Sequence, residues 1–306
     1  MGLIFIFLDG VGLGDSDPEK NPFARGAMPT LEALLGGQRL VATTAPFVGE
    51  RATLVALEAT LGVPGLPQSA TGQAALLTGI NIPARVGEHY GPKPNRAVAQ
   101  LLVERNVFSD LKSAGKSAAL LNAYPPRYVH GVDSGRRLYS SIPLAVTSAG
   151  IRLVTKDDLF EGKALSADLT GAGWAAMLGF PAAPVLTPEQ AGRKLTELAD
   201  SYDFSFFEYW STDYAGHKQD MRWASEQLQL LDAVLGGLLR SCRESDLILI
   251  TSDHGNMEDL STRRHTEAKV PAILIGPRTA CQQFASSLRD LTDVAPAILR
   301  YLASTA

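Results

Sequence analysis

The chain of 306 residues carries only two cysteines, Cys242 and Cys281. They stand in no C-x-x-C or other ligand spacing, which excludes a disulfide framework, a thiolate zinc site and a dithiol redox centre. That usage fits a reducing compartment, and a cytoplasmic location is expected. An excess of one charge is also missing: 28 Lys+Arg against 32 Asp+Glu leave a formal charge of -4, and no basic block of five or six occurs. A nucleic-acid groove or a polybasic membrane patch is therefore not expected. Long apolar runs are absent as well. The opening stretch, Leu3 to Leu8, is too short to span a bilayer, has no basic residues ahead of it and stops at Asp9 rather than at a small-residue cleavage site. It reads as a buried strand instead of a signal peptide.

What is present suits a large core. With 45% hydrophobic and 20% charged residues the composition is that of a globular protein, and the length allows one large α/β domain or two smaller ones. Apolar, β-rich runs recur at Leu3–Leu8, Ser117–Leu121, Phe204–Trp210, Leu247–Thr251 and Val270–Ile275. Helical patterns fall between them, near Met28–Leu35, Thr71–Leu77, Asn95–Glu104, Pro188–Ala199 and Glu226–Arg240, and Thr292–Leu302 closes the chain. This alternation predicts a mostly parallel sheet covered by helices on both faces. Between Pro125 and Pro184 the pattern weakens into Gly, Pro, Ser and Ala, which predicts a small lid or cap inserted in a single domain over 1–306.

Three short motifs carry the chemistry. Asp9 follows the first apolar run and precedes Gly10, Gly12 and Gly14, which let the backbone turn sharply. Asp213 and His217 are four apart, so a helical turn puts both on one face. Asp253 and His254 end the apolar run at Thr251, and His265 precedes the next one. Each motif has a plain structural reading: a turn cap for Asp9, a surface pair for Asp213 and His217. Together they hold three of the five histidines, a placement that chance rarely gives. Carboxylates and imidazoles without thiolates point to two divalent ions, Mn or Zn. His89 and His130 have no partner at ligand spacing and read as surface or pocket residues.

A hydroxyl group is also placed for chemistry. Gly65 to Gln73 includes Ser69 and Thr71 just ahead of the apolar Ala74-Ala75-Leu76-Leu77. At a helix N-terminus such a hydroxyl meets free N–H groups and the helix dipole, which favour a phosphate; it serves equally well as an N-cap.

The order Asp9, Ser69-x-x-Gly72, Asp213-x-x-x-His217, Asp253-His254-Gly255-Asn256 and His265-Thr266 resembles the alkaline phosphatase superfamily, in particular the branch of cofactor-independent phosphoglycerate mutase and phosphopentomutase. The likeness extends to Asn21-Pro22, Thr187 to His217, and Thr292 to Pro296. It implies an alkaline-phosphatase-like fold with Asp213, His217 and His265 on one ion. Asp9, Asp253, His254 and the nucleophile Ser69 would hold the other. Two departures stand out: Gln73 replaces the histidine after the glycine, and the large cap of the mutases is missing or much reduced. The sulfatase motif is absent around Ser69.

From this resemblance we expect a small phosphorylated substrate, a phosphoserine intermediate and net hydrolysis of a phosphomonoester. An intramolecular phosphotransferase is the alternative, and a catalytically silent metal-binding protein a third reading. His89, Lys93, Arg96 and Arg127, with Arg136 and Arg137, are the candidate substrate contacts; each reads equally as solvated surface charge. The sequence leaves the oligomeric state open.

Overall fold

The computed structural model describes residues 2–304. Its strands are β1 (Leu3–Leu8), β2 (Phe47–Val48), β3 (Ala52–Leu57), β4 (Ala118–Leu120), β5 (Phe204–Tyr209), β6 (Leu247–Thr251) and β7 (Val270–Ile275). They form one sheet in the order β2-β3-β7-β6-β1-β5-β4. β6, β1, β5 and β4 run parallel, as the alternating pattern predicts. β7 is antiparallel to both β6 and β3, and β2 is antiparallel to β3, so the sheet is mixed on that side. β2 and β3 are strands that the sequence reading passed over.

Burial alternates along β1 with the strand period of two. Leu3, Phe5 and Phe7 pack into the core on one face, with Phe108, Phe204 and Phe206. Ile4, Ile6 and Leu8 pack into the core on the other, under the Pro188–Ala199 and Met221–Leu239 helices. Burial of each of these side chains is worth about 1.5–3 kcal/mol. A strand covered on both faces disfavours an ionised residue until it ends, which is why the motif carboxylates wait for the strand termini.

Strand direction then assembles the site. β1, β5 and β6 are parallel, so Asp9, the Ser211–Lys218 helix and Asp253 all emerge at one sheet edge. β7 runs the other way, which brings the segment before it, with His265, to that same edge. β3 points with β6, and the loop after it leads into the Ser69–Thr78 helix, whose N-terminus faces the centre.

The stretch expected to be irregular holds four short helices, Pro126–Asp133, Ser141–Ser148, Lys156–Phe160 and Ala172–Ala176. Each is too short to show a clear period in sequence, and of the four only Lys156–Phe160 is capped by side chains, through the Thr155 and Asp158 capping box. Ile142, Ala145 and Val146 join the main core, so that helix is not lid. Ala123, Leu159, Ala164, Trp174 and Ala183 make a separate small cluster. The Met221–Leu239 helix starts five residues before its expected Glu226, because the Asp220 side chain accepts the Trp223 N–H at 3.0 Å and caps it there. Among the described residues, no helix is long and apolar enough to cross a membrane.

Candidate metal centre

Asp213, His217 and His265 bring ligand atoms within 4.8 Å of one another, and Asp9, Asp213 and His254 do the same. Asp213 lies on the Ser211–Lys218 helix with His217 one turn on, Nε2 to Oδ2 3.3 Å. His265 Nε2 is 3.6 Å from Asp213 Oδ1 and 3.3 Å from His217 Nε2. His254 Nε2 lies 3.4 Å from Asp9 Oδ1 and 3.5 Å from Asp253 Oδ2. The His254 and His265 rings stack at 3.8 Å. Asp213 stands in both groups, and Asp253 flanks the second through His254.

This donor set fits divalent cations. Each of the three histidines turns Nδ1 to a main-chain carbonyl: Arg263 at 2.8 Å, Pro67 at 2.7 Å, and Gly255 at a longer 3.4 Å. Such outer contacts fix the tautomer and leave Nε2 as the lone-pair nitrogen. In His254 and His265 those nitrogens then face carboxylate oxygens with no proton between them. Asp9 Oδ1 and Asp253 Oδ2 are buried without a hydrogen-bond donor, as is Asn256 Oδ1. Lone pairs converging in a buried site are tolerated when a cation sits among them.

The acid–base properties say the same. Burial, then repulsion from Asp253 and Asp213, raises Asp9 well above the usual carboxylate range. Burial, then Asp213, lifts Asp253 to about 7. Burial pushes His254 and His265 down to about 4, which keeps both imidazoles neutral, as metal ligation requires. For Asp213 burial acts upward but is outweighed by the His217 hydrogen bond, His254 and Asn256, which hold it at about 2. His217 is drawn upward, first by its hydrogen bond to Asp213.

Ser69 is the first residue of its helix, and its Oγ lies 3.0 Å from His254 Nε2. Thr71, the other hydroxyl of that loop, is turned away: its Oγ1 is 3.2 Å from the Gln68 carbonyl and 3.3 Å from that of Tyr90. Gln73, in place of the expected histidine, sits beside Asp9 with Nε2 to Oδ2 3.5 Å. An open cleft of about 610 Å³ lies against this group, lined by His89, His217, Arg263, Arg264 and His265. Of the expected substrate contacts, His89 is therefore at the cleft. Arg127 lines a different cavity, and Lys93 and Arg96 line neither.

Several residues escaped the sequence reading. Arg263 and Arg264 directly precede His265, and that adjacency was the available signal. Asn256 donates Nδ2 to Asp213 Oδ1 at 2.6 Å. Glu258 is buried and accepts the Gly12 and Asn256 N–H groups at 2.8 Å each, together with the Thr266 hydroxyl. Lone glutamates carry no spacing signature, so nothing in sequence marked this one.

The fold is alkaline-phosphatase-like, and a candidate metal centre lies at one edge of its sheet. Residues 183–306 match the family model described as Metalloenzyme superfamily. The homologues are phosphomutases. A 2,3-bisphosphoglycerate-independent phosphoglycerate mutase from Moorella thermoacetica is 31% identical over 128 residues, covering 38% of this chain and 24% of that protein. A phosphopentomutase from Syntrophotalea carbinolica is 35% identical over 83 residues, covering 27% and 21% respectively. The chain thus spans about a quarter of the length of the curated relatives it matches. The fold is shared more widely. A Pyrococcus horikoshii protein superposes with a TM-score of 0.58 at 13% identity, covering 99% of this chain and 96% of that one. The alkaline phosphatase of the Antarctic bacterium TAB5 gives 0.51 at 11% identity, covering 99% and 97%.

Proposed function

We propose that this chain is a two-metal phosphoryl-transfer enzyme that works through a phosphoserine at Ser69 and acts as a phosphomonoester hydrolase on a small metabolite. The observation that carries this reading is the contact of Ser69 Oγ with His254 Nε2 at 3.0 Å, at a helix N-terminus and beside converging carboxylates. Asp213, His217 and His265 would hold one divalent ion, Mn or Zn, and Asp9, Asp253 and His254 the other, with Asp213 between them. Bound there, the ions supply Lewis-acid charge that acidifies a hydroxyl and offsets charge on phosphoryl oxygens.

The chain's own residues do the rest. Ser69 Oγ attacks phosphorus in line as the bond to the leaving oxygen breaks, and the alcohol departs with a proton. Water then attacks the phosphoserine, freeing phosphate and restoring the hydroxyl. The Ser69 and Ala70 N–H groups at the start of the Ser69–Thr78 helix have no intrahelical partner and would face the phosphoryl oxygens, whereas the Thr71 N–H is held by the Tyr90 carbonyl. Arg263 and Arg264 stand at the cleft as charge partners for the phosphate. We read the 125–184 span, less its core helix, as a small lid over a single domain.

The named relatives favour a second reading, intramolecular phosphotransfer. A mutase must shield its phosphoserine from water while the substrate reorients. With only the short insertion available for closure, hydrolysis is the expected outcome. The test uses candidate phosphoesters in water enriched in heavy oxygen, with acid-quench trapping. Free phosphate carrying one solvent oxygen supports the hydrolase, and isomer without free phosphate supports the mutase. Ser69→Ala should abolish the trapped phosphoenzyme and Thr71→Val should keep it. Label mapping to Thr71 would overturn the nucleophile.

A further inference from the structure

A second cavity, of about 360 Å³, opens beside the C-terminal ends of β4 and β5, and the short insertion forms part of its wall. Glu208 stands in its lining at the end of β5, opposite Phe7 of β1 and hence next to the strand that delivers Asp9. Its backbone is pinned on both sides: Asn122 Oδ1 accepts the Glu208 N–H, and Asn122 Nδ2 donates to the Glu208 carbonyl, each at 2.8 Å. The carboxyl group is therefore presented in a fixed place. The Tyr124 hydroxyl faces it. Among the described residues no basic side chain forms an ion pair with it, and burial, then the charge of Asp253, raises it to about 7.

The rest of the lining has two characters. Tyr124 and Tyr128, with ring centroids 4.6 Å apart, Trp174 and the half-exposed Trp210 make aromatic walls, extended by Met177 and Leu178. The Arg137 guanidinium already lies over the Tyr128 ring at 4.5 Å, so these faces accept flat stacking partners. Polar groups are few. Asn122 is engaged with Glu208, and Ser166 binds Asp168, which also accepts the Gly171 and Gly173 N–H groups at 2.8 and 2.6 Å. That leaves Glu208, the Tyr124 hydroxyl and the buried Tyr128 hydroxyl, which faces Ser140 without a well-formed hydrogen bond. Arg127 and Arg137 are exposed at the rim.

A ligand that fits must offer flat apolar faces and one edge of hydrogen-bond donors. A polyol would leave hydroxyls unpaired against aromatic walls. A leaving group with its own carboxylate would meet Glu208 as a like charge. We propose that this cavity binds a planar heteroaromatic ring of the nucleobase class, stacked on the aromatic walls with its N–H edge on Glu208, as the leaving-group side of the phosphoester. The assignment to a leaving group rests on the phosphoryl-transfer reading; the ring site itself does not. Glu208 is near enough to the centre for its charge to act on Asp9 and for that of Asp253 to act on Glu208, which places cavity and centre side by side.

The experiment titrates the full chain with adenosine, guanosine and cytidine, and with ribose as the polyol control. Calorimetry and tryptophan fluorescence are the readouts, since Trp174 and Trp210 are two of the three tryptophans. Saturable binding of at least one nucleoside, with quenching that Trp210→Phe reduces and Trp223→Phe does not, is expected. Glu208→Gln should weaken it at least tenfold, and Glu208→Asp is the second variant should the first fail to fold. Ribose binding as well as the nucleosides, no nucleoside binding at all, or binding unchanged in the Glu208 variants would overturn the proposal. Nucleoside binding without turnover of any phosphoester would uphold the ring site and sink the catalytic reading. Phosphate release from other esters with no nucleoside binding would do the reverse.

Discussion

Glu258 shows how much of this centre depends on a side chain that touches no candidate ion. Only 2% exposed, its carboxylate ties the turn after β1 (Gly12), the turn after β6 (Asn256) and the segment before β7 (Thr266) into one unit. Glu258→Ala leaves two buried N–H groups and a hydroxyl without an acceptor, a loss of about 2–5 kcal/mol. Glu258→Gln keeps an oxygen for the amides and turns its NH₂ toward Thr266, whose hydroxyl can accept, so about 1 kcal/mol is expected. Denaturant titration of the two variants checks the ordering, and equal losses would refute the acceptor argument. At this scale the sequence exposed residues that come in pairs and recur at fixed spacing, such as Asp213 and His217. Glu258 and Glu208 act alone through folded neighbours, so only the structure reveals them.

Among elements, the contact between the Ser69–Thr78 helix and the turn after β6 sets the distance from Ser69 to the centre. Gly72 makes it close: a Cβ there would lie 2.8 Å from the Asp253 carbonyl oxygen, a main-chain atom that cannot swing aside. Gly72→Ala gains helix propensity worth about 1 kcal/mol. The clash costs about 1–3 kcal/mol and pushes Ser69 away from His254. We expect the variant to hold its overall stability within about 2 kcal/mol while the trapped phosphoenzyme falls sharply. Unchanged trapping would show that the helix is not positioned by this contact. Continuous apolar strands such as Leu247–Thr251 and Val270–Ile275 were readable to the residue. Their direction was not, because burial pattern is the same for parallel and antiparallel neighbours, and it is the reversed β7 that brings His265 home. β3 went unread although it is as long as β1, because alanine and threonine interrupt the apolar residues of Ala52–Leu57 and its pairing with β7 comes from far along the chain.

For the molecule as a whole, pH acts beyond the centre as well as on it. In the insertion, the Arg152 hydrogen bond, with burial opposing it and the Thr155 N–H adding to it, holds Asp158 at about 2. A depressed carboxylate stabilises above its unfolded value, near 4, and that contribution is lost as pH falls from about 4 to about 2. Hydrogen exchange in the Lys156–Phe160 helix should therefore rise over that window in the native state, and Asp158→Asn should remove the dependence. A profile that is the same in both proteins would refute it.

The centre also responds to ions. Asp9, Asp213 and Asp253 face lone-pair nitrogens in a buried site, so on the proposed reading the folded chain would bind divalent cations that the unfolded chain cannot gather. A ligand of the native state at a hundred times its Kd stabilises by about 2.7 kcal/mol, which for a chain of this size raises Tm by roughly 5 °C. Mn²⁺ or Zn²⁺ should produce that rise in a protein first stripped with chelator, and chelator should reverse it. Asp213 belongs to both ligand groups, whereas His217 belongs to one. Asp213→Asn should therefore lose the whole shift, while His217→Ala keeps part of it and, by metal analysis, retains one ion. Equal retention in the two variants would mean that Asp213 does not bridge the groups, and no shift in the parent protein would remove the metal centre itself.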